Sequence, residues 1–211
     1  LDSKGKNALY GDDGQPVAEV KRMLSSGVTV VGVDLLFQGE SSSSGEILES
    51  TRRVANPREA AAFTFGYNSS VFAKRVHDVL TTVKFMKTHD EQSKVIGVVA
   101  LAGAGHWAAT ARSVLGDSVD RYALDTEGFR FGDVDRLHDP NFLPGGAKYL
   151  DIPGLLLLGD MKSLWLAGEP ASSQQRLRKA YSAGEVKGAL TIVASSGSKS
   201  SVSNALDWIL R

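Results

Sequence analysis

Between Ser69 and Thr88 the apolar residues Phe72, Val76, Val79, Val83 and Met86 recur at helical spacing. Alternating steps of four and three keep them on one face of a helix, and Ser69 or Ser70 is placed to cap it. Elsewhere the pattern changes to short apolar-rich runs: VTVVGVDLL at 28–36, KVIGVVAL at 94–101, SVDRYALD at 118–125, SLWLAGE at 163–169 and GALTIVAS at 188–195. Such runs predict strands, several of them covered on both faces. Helices are expected at 16–27, 107–116, 172–184 and 201–210, with Gly27 and Gly116 as stops. The polar stretch FQGESSSSGE reads as a surface loop.

Five strands interleaved with helices predict an α/β fold: a three-layer αβα sandwich around a mainly parallel sheet. Crossovers of one hand then gather the C-terminal strand ends on one edge, where such sheets carry their sites. The 211 residues suit one domain spanning 1–211, with an irregular Gly-, Pro- and Asp-rich insertion at 126–154 near the site edge.

Composition narrows the function classes. Lys+Arg and Asp+Glu are both 24, so the formal net charge is zero and no basic run invites nucleic acid or an anionic membrane. No apolar run approaches the ~20 residues of a membrane span. Cysteine is absent, which removes thiolate chemistry, and the four histidines show no metal-ligand spacing, so no metal or cofactor is expected. The chain opens LDSKGK without Met and reads as a fragment or processed part of a longer protein.

The stretch KVIGVVALAGAGHWAATA joins a predicted strand to a predicted helix and admits two readings. Gly103, Gly105 and Ala108 spell G-x-G-x-x-A, and Asp125 follows at the end of the next strand, where an acid would meet a ribose. This dinucleotide reading has weaknesses. The fingerprint normally opens its domain, and His106 and Trp107 put bulk where phosphates need room.

The second reading is a nucleophile elbow. Ala100, Leu101, Ala102, Gly103 and Ala104 fall in the five places of G-x-S-x-G. With GVTVVGVDLLFQGES (Asp34, Gly39, Glu40), the long helix before the elbow and the runs SLWLAGE and ALTIVAS, the chain resembles the α/β-hydrolase fold. The likeness is to its dienelactone hydrolase and acetyl xylan esterase-like branch. It implies that LDSKGKNALYGDDGQP follows the family's third strand and that the earlier strands are missing from this chain. The sheet would then expose one flank, so another segment or chain is expected to cover that edge.

The resemblance also fixes where catalytic groups should stand. The nucleophile position is Ala102, and no Ser, Thr, Asp or Glu occurs from Lys94 to Ala109. The family's histidine follows the last strand; here that loop is SSGSKSS, and no histidine lies beyond His138. Glu169 is the candidate acid, His138 the remaining candidate base, and the backbone of Gly103 the candidate oxyanion donor. Leu101, Gly105, His106 and Gln38 are the expected pocket residues. A hydroxyl needs an adjacent base and an oriented imidazole to react at neutral pH, so this set predicts a degenerate triad. The implied function is a pseudo-esterase or partner domain that binds a small ester or carbohydrate-like ligand. The alternative is an active carboxylic ester hydrolase, of the acetyl ester or carbohydrate esterase type, that uses residues from unconventional positions or from the absent segment.

Overall fold

The computed structural model describes residues 1–43, 47–52, 64–89, 93–184, 186, 188–193 and 199–211. Among the described residues four strands form one all-parallel sheet in sequential order: β1 (Gly97–Ala100), β2 (Arg121–Asp125), β3 (Ser163–Ala167) and β4 (Leu190–Ile192). Val98 pairs with Tyr122, Tyr122 with Leu164, and Leu164 with Leu190, so the strand ends are level. Among the described residues no helix is long and apolar enough to cross a membrane.

Strand alternation sorts the core into two halves. Val98, Ala100, Tyr122, Leu124, Leu164 and Leu166 face one layer of helices. That layer holds α2 (Val71–Thr88), α3 (Gly105–Leu115), α4 (Asp151–Leu158) and α5 (Ala171–Ala183). Val99, Ala123, Trp165 and Ala167 face the other way, onto α6 (Lys199–Ile209) through Val202, Ala205, Trp208 and Ile209. The expected three-layer architecture is therefore present. A short helix, α1 (Ala18–Ser25), is tied to α6 by Arg22 Nη1 and Asp207 Oδ1 at 2.8 Å.

The capping signals act as the sequence suggests. Ser70 is the N-cap of α2, its side chain accepting the Ala73 N–H at 3.2 Å, and Gly116 ends α3 at φ 53°. Phe72, Val76, Val79 and Val83 are buried as one stripe.

Two expectations are corrected. Residues 28–35 form no strand. Most of this run is exposed or half-buried, and Gly32 lies against the Lys6 and Leu9 side chains rather than a neighbouring strand. A β-branched run becomes a strand only when another backbone supplies its ladder. The open flank of β1 is met instead by the first residues of the chain. The Leu1 amine donates to Val99 O at 2.5 Å, Leu101 N–H to Leu1 O at 3.2 Å, and Ser3 N–H to Ala102 O at 3.1 Å.

The second correction is α4, which the expected insertion at 126–154 hid. DIPGLLLL is apolar almost throughout and so shows no amphipathic period, although the helix buries Ile152, Pro153, Gly154 and Leu156 and leaves Leu158 exposed. Pro153 is tolerated in the first turn, where its missing N–H costs nothing. Asp151 organises the stretch: Oδ1 accepts the Phe131 and Ile152 N–H groups, and Oδ2 that of Gly132.

Candidate functional site

The β1–α3 junction reverses so sharply that Ala102 takes φ 47° and Gly103 φ 80°. Positive φ at a residue with a Cβ is uncommon and marks a turn held by its surroundings. Two close contacts hold it. A Cβ on Gly105 would stand 1.9 Å from the Asp125 carbonyl, so glycine there lets α3 start against the end of β2. Ala104, packed without exposed surface, fills the space beneath the turn. The result projects the Ala102 methyl outward, exposed, at the C-terminal edge of the sheet.

The expected oxyanion donor is already engaged. Gly103 N–H donates to Glu127 Oε1 at 3.0 Å. Glu127 follows β2, at φ 49°, and its own N–H donates to Asp125 Oδ1 at 2.9 Å. The carboxylate of one loop thus occupies the N–H of the expected donor. Asp125 is buried and holds this loop. Gly105 and Asp125, two parts of the G-x-G-x-x-A reading, therefore have packing roles in this structure.

Glu169 stands just past the end of β3, as expected, but it is bound on every side. Its side chain is fully buried and its carboxylate accepts Thr126 Oγ1 at 2.6 Å, Arg130 Nη1 at 3.2 Å and Arg130 Nη2 at 2.6 Å. A two-pronged guanidinium contact of this kind is strong and directional. No imidazole is bonded to Glu169 among the described residues. His138 lies on the loop after β2, its carbonyl accepting the Thr51 N–H at 2.7 Å. The SSGSKSS loop falls largely outside the described residues.

Beside the turn opens a cavity of about 710 Å³, walled by Ser3, Lys4 and Gly103 together with Phe37, Gln38, Arg75, Trp107 and Asn141. Of the expected pocket residues only Gln38 contributes to this wall. Even Gln38 has its amide committed, Oε1 to Leu35 N–H and Nε2 to the Ser3 and Asp2 carbonyls. Leu101 packs on the opposite face of the sheet, and Gly105 and His106 are buried beneath the turn.

His106 is an aromatic core residue. Its ring stacks at 4.2 Å on Phe129 and lies 4.8 Å from Trp107. Burial pushes its imidazole down to about 4, so it is neutral at neutral pH. Its Nε2 lies 3.0 Å from Asn141 Oδ1, which also accepts the Trp107 indole N–H at 3.2 Å. An indole only donates, so the Asn141 atom facing both rings is the oxygen, and His106 carries its proton on Nε2.

Ser3 is the residue that sequence reading missed. A Cβ on Gly103 would lie 3.4 Å from Ser3 Oγ, which puts a hydroxyl beside the elbow from a segment far away in sequence. Its oxygen has no imidazole or carboxylate bonded to it among the described residues. No three described His, Asp or Glu side chains gather as a metal site.

No family model matches the chain, and no curated protein matches it.

Proposed function

We propose that this chain is an α/β-hydrolase-fold domain of the acetyl xylan esterase-like kind that binds a small ester or carbohydrate-like ligand without hydrolysing it. One observation carries the reading. The strained β1–α3 turn, built to lift a side chain above the sheet edge, lifts only the Ala102 methyl, and the neighbouring Gly103 N–H is held by Glu127.

The chemistry follows from what each group lacks. Acyl transfer through an enzyme hydroxyl needs a base to take its proton and donors to receive the oxyanion. Ala102 has no hydroxyl, Ser3 has no bonded base among the described residues, and Glu169 is neutralised by Arg130. A hydrolase stripped of its triad keeps roughly 10³–10⁴-fold over water through its oxyanion hole and binding. With Glu127 in place, even that remnant must first displace a carboxylate from the Gly103 N–H.

Hydrolysis of p-nitrophenyl acetate tests the reading. The expected rate is that of buffer plus a non-specific protein control, linear in substrate. Saturable turnover, abolished by Ser3→Ala, would replace this reading with an ester hydrolase acting through Ser3.

A further inference from the structure

The cavity holds a cation that the missing chemistry leaves without a use. Arg75, in the second turn of α2, is 3% exposed yet forms part of the cavity wall. A guanidinium offers five N–H donors. Among the described residues Arg75 uses one of them, Nε to the Leu36 carbonyl at 2.9 Å, and has no carboxylate within ion-pair distance. Asp78, on the next position of the same helix face, turns Oδ2 to the Leu36 N–H instead. The guanidinium carbon lies over the Trp107 ring, 4.7 Å from its centroid, a cation–π contact that helps to place it.

Asn141 completes the arrangement. Its Oδ1 is taken by His106 and Trp107, so its NH2 group is the part left for the cavity it lines. The lining includes Lys4, Arg75 and Arg136 against Glu49 and Asp139, a balance of one positive charge. Arg136 and Asp139 are turned to each other at 3.7 Å. Asn7, Ser3 and Ser50 add neutral polar groups around them.

The geometry points to a carboxylate-binding end of this cavity, in which the Arg75 fork and the Asn141 amide hold the acid group of a small hydroxylated organic acid of the hexuronate class. This rests on the ligand-binding reading above and names the ligand's chemistry. A planar guanidinium matches the two oxygens of a carboxylate, and one net positive charge suits a monoanion better than a phosphate dianion. The volume is that of a small-ligand pocket, and the neutral polar lining suits hydroxyl groups.

Calorimetric titration with D-glucuronate, D-glucose and inorganic phosphate tests it, with thermal melting as the control for folding. The expected result is saturable binding of glucuronate at least tenfold tighter than of glucose or phosphate. Asn141→Asp, which keeps the acceptor for His106 and Trp107, should lose that advantage without lowering the melting temperature by more than a few degrees. Arg75→Lys, which keeps the charge but not the fork, should weaken glucuronate binding as well. Equal affinity for glucose and glucuronate overturns the carboxylate anchor and leaves a ligand-binding cavity. A preference for phosphate, or no binding by the wild-type protein, also overturns it. Ester turnover in the parallel assay would overturn the non-catalytic reading, while the glucuronate-to-glucose ratio would still decide the anchor.

Discussion

The Glu127 carboxylate and the Gly103 amide meet at 3.0 Å across the end of the sheet, so the protein supplies its own anion to the donor beside Ala102. Glu127 is exposed, so the contact competes with water and is worth little more than an ordinary surface hydrogen bond. Replacing Glu127 by Ala should speed hydrogen exchange of the Gly103 amide about fivefold, the equivalent of ~1 kcal/mol. Glu127→Gln keeps an acceptor and should preserve protection. Unchanged exchange in Glu127→Ala would show that the amide is held by something else.

His106 predicts a pH dependence of stability. Its folded value of about 4 lies below the ordinary imidazole value of 6.5, so the unfolded chain binds a proton that the native state refuses. The stabilisation is complete above about pH 6.5 and is lost as pH falls towards 4, by up to about 3 kcal/mol. Urea unfolding of wild type and His106→Gln at pH 7.5 and 5 isolates the effect, because the carboxylates titrate in both. The wild type should lose more stability between the two pH values than the variant. Parallel losses would mean that the imidazole titrates normally.

Arg130 and Glu169 form the most buried ion pair among the described residues. Removing one partner strands the other, so Glu169→Ala should cost about 3–5 kcal/mol. The double variant Arg130→Met, Glu169→Leu should recover most of that loss in chemical denaturation. A triad acid would instead show its effect in turnover, with stability nearly intact.

Two glycines around α3 separate packing from backbone strain. Gly105→Ala forces a methyl onto the Asp125 carbonyl and should cost ~3 kcal/mol, at the upper end of overpacking. Gly116→Ala meets nothing within 4 Å and pays only for its backbone, φ 53° with ψ −130°, a region that a residue with a Cβ avoids, at ~2 kcal/mol. Thermal melts should show the larger loss for Gly105→Ala; a loss below ~1 kcal/mol there would contradict its packing account.

The periodic elements were legible because their burial is one-sided or complete: the stripe from Phe72 to Val83 and the runs ending at Ala100, Asp125 and Ala167. The failures have physical causes. Residues 28–35 have strand composition, but a strand needs a partner, and sequence carries no trace of who pairs with whom. Helix α4 hides because a nearly all-apolar octet has no period. At the site, Ala102 and Gly103 were placed by local sequence alone. Glu127, Ser3, Arg75 and Asn141 were not, since each reaches the turn or the cavity from a distant segment.

On the proposed function no activated hydroxyl stands at the end of β1. Intact-mass spectrometry after incubation with a fluorophosphonate probe tests it most directly, on wild type and on Ser3→Ala. The predicted spectrum is the unmodified mass in both. A stoichiometric adduct on the wild-type protein, lost in Ser3→Ala or mapped to any other serine of the cavity, would contradict it.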